Sequence, residues 1–159
     1  MNEKQELIGA LQTIPWFQDL SEQHFDLICS ITHLVNIDQD MTIFSEGDRE
    51  ENLYVVLEGR VAIELFSSVQ GKIRIFTAEP LDVIGWSSVT PVIRQRTASA
   101  RAVLDSRLAA VDGRELRKLC DQDCELGYII MRRIANVIAA RLMITRLQLI
   151  DLYSHPQGD

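Results

Sequence analysis

The sequence predicts an α+β domain in which short N-terminal helices precede a small β-barrel or sandwich, followed by a short helix and a long helix. Three observations predict this class: helix-spaced apolar residues near the start, five short strand-like runs in the middle, and a long proline-free segment of helix formers at the end. With 159 residues, 47% of them hydrophobic, the chain is about one domain long and can bury its own core. We therefore assign residues 1–159 to a single domain.

The N-terminal region, 1–32, is predicted to be helical. Leu7, Leu11 and Ile14 recur near helix spacing, and Pro15 then interrupts the segment. A second short helix is expected to begin after Ser21, because a serine hydroxyl can accept a hydrogen bond from the first free backbone amides of a helix.

The middle region, 33–112, is predicted to be built from strands. Polar and apolar residues alternate in several of its short runs, and glycines or polar turns separate them. The runs are 54–57, 60–66, 72–76, 97–103 and 107–111. Short strands at this spacing are typical of a barrel or a sandwich.

The C-terminal region, 113–153, is predicted to contain a short helix from Asp112 or Gly113 and a long helix from about Cys124 to Tyr153. The long helix would measure roughly 45 Å at 1.5 Å per residue, which exceeds the diameter of a small domain. Such a helix must project from the domain or find a partner.

The long helix carries an apolar seam with one polar member, at alternating steps of four and three residues. The seam consists of Met131, Ala135, Ile138, Leu142, Thr145, Leu149 and Leu152. A second apolar set, Ile130, Ile134 and Val137, lies beside it. We assign the second set to the barrel and the seam to the same helix of a second copy, which predicts a homodimer. The alternative is one wide core-facing stripe in a monomer.

Composition and motifs argue against several function classes. Sixteen Lys and Arg against 23 Asp and Glu make a net charge of −7, which disfavours direct nucleic-acid binding. No apolar run reaches the roughly 18 residues of a membrane span, and the first residues lack the pattern of a signal peptide, so we expect a cytoplasmic protein. Catalytic motifs and clustered metal ligands are absent from the sequence, so we expect no enzymatic activity, no metal site and no cofactor.

Four segments, in order, resemble the motifs of cyclic nucleotide-binding domains. Met41–Asp48 contains the pattern I-F-x-x-G-D, and Leu53–Val61 is similar to the L-Y-x-I-x-x-G-x-V hairpin. Pro80–Gly85 is similar to the approach to the ligand cassette, and Arg96–Ala98 matches the phosphate-contacting R-[ST]-A. The resemblance extends from about residue 10 to 153. It implies a jelly roll, also called a double-stranded β-helix, of the kind found in catabolite-activator-like effector domains.

The resemblance also implies a ligand site in which Arg96 and Thr97 contact the phosphate of a cyclic nucleotide or of another small anionic molecule. The residues assigned to this site are Gly85, Trp86, Ser87, Ser88, Arg96, Thr97 and Ala98. We expect Arg96 to be a solvated residue at the end of a loop, with little part in folding. Catabolite-activator relatives carry a winged helix after the long helix, whereas this sequence ends at Asp159, so direct DNA recognition is not expected.

One departure from the family pattern concerns the ribose. The family has a Glu that accepts a hydrogen bond from the ribose hydroxyl, and here the residue after Gly85 is Trp86, whose indole N–H cannot accept one. Leu81 also replaces the usual Gly before Asp82. Trp86 is expected either to fill the ribose site or to form an aromatic wall for a different ligand.

Two functional hypotheses follow. The first is a non-enzymatic ligand-sensing regulatory module, whose signal passes through the long helix and a dimer to an unidentified protein partner. The second is a degenerate domain that dimerises and interacts with other proteins while Trp86 fills its pocket. A cavity beside Arg96 favours the first hypothesis, and a pocket occupied by Trp86 favours the second.

Overall fold

The computed structural model describes residues 2–49, 51–90 and 95–154. It begins with three short helices, α1 (Glu3–Gln12), α2 (Pro15–Gln18) and α3 (Glu22–Ser30). The Ser21 hydroxyl accepts the backbone N–H of His24 at 3.2 Å, as the sequence predicts for the start of α3.

The strands form two antiparallel sheets of four strands each within the described residues. The strands are β1 (Thr32–Ile37), β2 (Thr42–Phe44), β3 (Asn52–Glu58), β4 (Val61–Ser67), β5 (Gly71–Ala78), β6 (Val83–Ile84), β7 (Ser99–Ala102) and β8 (Ser106–Asp112). Their orders are β1-β8-β3-β6 and β2-β7-β4-β5, so that successive strands alternate between the sheets except for β4 and β5, which pair in the second sheet. The predicted α+β fold with a jelly roll is confirmed.

Every run that the alternation pattern predicted as a strand contains one, although the ends differ by a few residues. The pattern missed β1, β2 and β6, the last of which is a two-residue strand that pairs with β3 through Tyr54↔Ile84 and Val55↔Val83. Two residues are too few to show an alternation, so that only the tertiary pairing defines this strand.

Two helices follow the sheets, α4 (Gly113–Gln122) and α5 (Cys124–Ser154). Asp123 makes the corner between them: its carboxylate accepts the N–H groups of Glu125 and Leu126 and a hydrogen bond from His24 at 2.8 Å. These hydrogen bonds, that of Leu126 above all, lower the pKa of Asp123. The corner therefore attaches the start of α5 to α3.

The first half of α5 packs on the domain. Ile130 and Ile134 are almost fully buried in the main core cluster, which also contains residues of the N-terminal helices and of β3 and β8, and Val137 packs against that cluster. The prediction that this set faces the barrel side is confirmed. Each such side chain contributes about 1.5–3 kcal/mol when fully buried.

The predicted seam is divided between two environments. Met131 and Ile138 are partly buried against the core of their own chain, which corrects the assignment of the whole seam to a partner. Leu142, Leu149 and Leu152 in the second half are 52%, 52% and 73% exposed.

In the described part of the chain no helix is both long enough and apolar enough to cross a membrane.

An ion pair links the two central strands of the second sheet. The Arg101 guanidinium on β7 donates to both carboxylate oxygens of Glu64 on β4, at 3.1 and 3.3 Å, and to Asp40 at 3.0 Å. Glu64 is only 7% exposed. The hydrogen bonds from Arg101 lower the pKa of Glu64, although burial acts in the opposite direction.

The lowered pKa of Glu64 predicts acid sensitivity. The pair stabilises the fold at pH values above the ordinary glutamate pKa of about 4.3. This contribution is lost as the pH falls through the lower pKa that Glu64 has in the folded state. Glu64→Gln is expected to cost about 1–2 kcal/mol at pH 7 and to reduce the loss of stability between pH 7 and pH 3, measured by urea unfolding. Glu58→Gln, at an exposed carboxylate, is the control and should follow the wild type. Parallel pH profiles of Glu64→Gln and the wild type would contradict this account.

Candidate ligand-binding cavity

A cavity of about 210 Å³ lies between the jelly roll and α5. Strands β4, β5 and β6 form one side of it, the short 3₁₀ turn Trp86–Ser88 and the segment 96–98 form another, and α5 covers it. The lining residues are Phe44, Ile63, Leu65, Ile75, Phe76, Val83, Ile84, Gly85, Trp86, Ser87, Arg96, Thr97, Ala98, Arg141, Ile144 and Thr145. Most of them are apolar, so that the cavity favours an apolar ligand body with few polar contacts.

Gly85 is required at the entrance to the 3₁₀ turn. It has φ +73°, and a Cβ at this position would lie 2.6 Å from Nη1 of Arg96. Both the backbone conformation and the close approach favour glycine. Leu81, which replaces the family glycine before Asp82, also has a positive φ of +76°, a conformation that costs an L-residue roughly 1–2 kcal/mol.

Arg96 is buried, with 4% of its surface exposed, so the expectation of a solvated loop residue was wrong. Its Nη1 donates to the Gly85 carbonyl at 3.0 Å and its Nη2 to the Asn52 carbonyl at 2.7 Å. The guanidinium carbon lies 4.2 Å from the centre of the Phe44 ring. Arg96 therefore joins β2, β3 and the 3₁₀ turn, while one part of it lines the cavity.

Trp86 forms a wall of the cavity. Its ring is partly buried and packs against the main core cluster, and the cavity remains beside it. Of the two roles expected for this residue, the geometry matches the aromatic wall. Because the indole cannot accept a hydrogen bond, this wall offers no acceptor for the O–H of a ribose hydroxyl.

The other residues assigned to the site separate into two groups. Ser87, Thr97 and Ala98 line the cavity. Ser88 does not line it: the residue is fully buried, and a Cβ on Gly113 would lie 2.7 Å from the Ser88 Cβ. Its carbonyl accepts a hydrogen bond from Arg117. The placement of Ser88 at the ligand is therefore corrected to a contact with the start of α4.

Sequence reasoning missed the residues that α5 contributes to the cavity. Arg141 and Ile144 continue the spacing of Ile130, Ile134 and Val137 along one helix face, and this continuation was a signal for their position. Thr145, which the seam assigned to a partner helix, also lines the cavity.

Polar contacts hold α5 on the cavity. Arg141 donates through Nη2 to the Val83 carbonyl at 3.1 Å, and its guanidinium carbon lies 3.2 Å from the centre of the Phe76 ring. About two turns farther along the helix, Gln148 donates to the Ile75 carbonyl at 2.8 Å. Burial lowers the pKa of Arg141 below its usual value, and the nearby Asp82 carboxylate opposes this effect only in part.

The described residues contain no cluster of three or more His, Cys, Asp or Glu side chains placed to hold a metal ion. The polar groups that the cavity offers are guanidinium, hydroxyl and backbone groups. These groups are donors suited to an anionic ligand.

The model of the family described as "Cyclic nucleotide-binding domain" matches residues 34–123. No significant match was found among curated proteins. The structure described as a cyclic nucleotide-binding protein from Geobacter metallireducens GS-15 is similar, with a TM-score of 0.74 and 26% identity over 89% of this chain and 99% of that chain.

Two further solved structures are similar to the chain. A cyclic nucleotide-binding domain from Methylobacillus flagellatus KT has a TM-score of 0.74 and 22% identity, over 98% of this chain and 85% of that chain. The N-terminal domain of a transcriptional regulator from Streptomyces coelicolor A3(2) has a TM-score of 0.64 and 26% identity, over 86% and 94% respectively.

Proposed function

The chain belongs to the cyclic nucleotide-binding domain family, whose model matches more than half of its residues, and from this membership we propose that it is a ligand-sensing regulatory module without enzymatic activity. The proposed ligand is a small phosphorylated or other anionic molecule, and the proposed output is a change in the long helix α5 and in a homodimer that α5 forms. An unidentified protein partner would receive the signal.

The cavity beside Arg96 carries the proposal. Trp86 lines this space and leaves it open to a ligand. Its volume of about 210 Å³ is below the range of roughly 300–1,000 Å³ that drug-sized ligands occupy. A compact ligand therefore fits better than a whole cyclic nucleotide, unless α5 moves outward on binding.

The proposed output follows from the position of α5. The same helix closes the cavity through Arg141 and Thr145 and then continues into a segment with exposed Leu142 and Leu149. A ligand that binds more tightly to one position of α5 shifts the helix toward that position. The exposed apolar segment would then present a different surface to the second copy.

A thermal-shift panel tests the proposal. A ligand at 100 times its dissociation constant stabilises the folded chain by about 2.7 kcal/mol, which corresponds to roughly 5–10 °C for a chain of this size. The panel should contain cyclic AMP, cyclic GMP, small sugar phosphates and small carboxylates. At least one compact anion is expected to raise the melting temperature, and cyclic AMP is expected to have a weak effect or none.

The weak effect of cyclic AMP is attributed to Trp86. An unpaired ribose hydroxyl costs about 1–3 kcal/mol, so that Trp86→Glu is expected to improve cyclic AMP binding by about tenfold or more, measured by calorimetry. Trp86→Phe is the matched control, because it keeps an aromatic wall and adds no acceptor. Tight binding of cyclic AMP by the wild type would show that Trp86 does not have this effect.

The second candidate function is a dimerising interaction module that needs no ligand. It is favoured by the hydrogen bonds from Arg96 to two backbone carbonyls of its own chain. If no member of the panel changes the melting temperature while the chain remains a dimer, this second function replaces the first.

A further inference from the structure

Arg141 occupies a position on α5 where the pattern of the helix calls for an apolar residue. It follows Ile134 by seven residues and Val137 by four, and Ile144 comes three residues later on the same face. Its neighbours on this face pack against the core or line the cavity. A guanidinium at such a position loses solvation, and this loss requires a compensating role.

The contacts of Arg141 within the chain compensate only part of this loss. Among the described residues it donates one hydrogen bond, to the Val83 carbonyl, and no carboxylate lies within 4.0 Å of it. The Phe76 ring lies against one face of the guanidinium. Because a guanidinium has five N–H donors, several of them remain for a group inside the cavity.

Arg141 differs from Arg96 in this respect. Two nitrogens of Arg96 hold the Gly85 and Asn52 carbonyls, so that this guanidinium organises the wall of the cavity. Arg141 lies on the opposite, helical side of the same cavity. The aromatic and aliphatic side chains between them offer an apolar environment, with Phe44, Trp86 and Ile144 among them.

We propose that Arg141 is the residue that binds the anionic group of the ligand, and that the ligand is a compact organic monoanion with an aromatic or branched apolar body, such as a small carboxylate. The inference rests on the proposed sensing function and names the ligand class and the anchoring residue of that site. The planar fork of Arg141 binds a carboxylate through two parallel hydrogen bonds. The apolar body lies against Trp86 and the side chains of β4 and β5. The anion is then held by α5 itself, so that binding is coupled directly to the position of this helix.

Titration of the whole chain with phenylacetate and with its neutral amide tests the inference, with calorimetry and tryptophan fluorescence, to which Trp16 and Trp86 both contribute, as readouts. Cyclic AMP and inorganic phosphate are titrated alongside. Phenylacetate is expected to bind at least about tenfold more tightly than phenylacetamide, and Arg141→Leu is expected to weaken phenylacetate about tenfold to a hundredfold. Arg141→Lys should restore part of the affinity because it retains the charge. Arg146→Leu, at an exposed arginine on the same helix, is the control and should bind as the wild type does.

The melting temperature measured without ligand separates a ligand-binding role of Arg141 from a structural role. Arg141→Leu removes one hydrogen bond and the contact with Phe76 and places an apolar side chain on the same face, so that without ligand its melting temperature is expected to fall by no more than about 5 °C. A larger fall in the melting temperature, or equal binding of phenylacetate by Arg141→Leu and the wild type, overturns the inference. If cyclic AMP or phosphate binds and phenylacetate does not, the inference fails while the sensing function stands. If neither phenylacetate nor any member of the thermal-shift panel binds, both fail.

Discussion

The Leu142→Asp variant is expected to sediment as a monomer at concentrations at which the wild-type chain sediments as a dimer. Leu142 and Leu149 are each 52% exposed on the second half of α5, and other large apolar side chains of this segment are exposed too. They are Met143, Leu147, Ile150, Leu152 and Tyr153. An exposed apolar surface of this extent on one helix indicates an interface. Each leucine that becomes fully buried against a second copy contributes up to about 1.5–3 kcal/mol, and an unpaired carboxylate in the seam opposes association by more than that.

The control for this prediction is Phe66→Asp. Phe66 is 73% exposed on β4 and lies outside the seam, so that its replacement introduces the same charge at an exposed apolar position without touching α5. Sedimentation velocity over a range of concentrations measures both variants. The proposed dimer is wrong if the wild type is monomeric at high concentration, or if Phe66→Asp dissociates it as effectively as Leu142→Asp.

The Arg96→Ala variant is expected to lose about 3 kcal/mol or more of unfolding free energy, because two charge-assisted hydrogen bonds of about 1.5–3 kcal/mol each disappear. The loss also leaves the Gly85 and Asn52 carbonyls without the donor that holds them in the structure. This expectation reverses the one drawn from the sequence, in which a solvated Arg96 affects ligand binding and leaves folding unchanged. Urea unfolding at neutral pH measures the difference.

Two further variants define the origin of the Arg96 effect. Arg96→Lys keeps the charge and removes the fork that reaches both carbonyls, so that it should remain clearly destabilised. Arg60→Ala removes an arginine whose side chain is 54% exposed in an ion pair with Glu79, and such exposed pairs contribute at most about 1 kcal/mol. Wild-type stability of Arg96→Ala together with weaker ligand binding would support the original expectation instead.

Local features of the sequence were sufficient to predict the class of fold. Alternation along β4 and β5, the capping residue Ser21, and the proline-free run of α5 each specify an element through neighbours a few residues away. The four motifs in order identified the family, which the family model confirms.

The site was predicted less completely, because its residues meet only in the folded chain. Gly85, Trp86, Ser87, Arg96 and Thr97 do line one cavity, as the motifs implied. The motifs carry no information on solvation, and Arg96 is buried because the carbonyls of β3 and of the residue before the 3₁₀ turn point toward it. Ser88 is sequence-adjacent to the site and is nevertheless turned toward α4.

The sequence by itself determined the helices, most strands, the family and the existence of two apolar faces on α5. Only the tertiary structure decided which parts of those faces are buried. Met131 and Ile138 pack on the core, Arg141 and Thr145 close the cavity, and Leu142 and Leu149 remain exposed. The physical reason is that helix periodicity places residues on a face, whereas the length over which that face is covered depends on how far β4, β5 and β6 extend beside it. That extent is set by strand pairing between residues distant in the chain, and no local pattern encodes it.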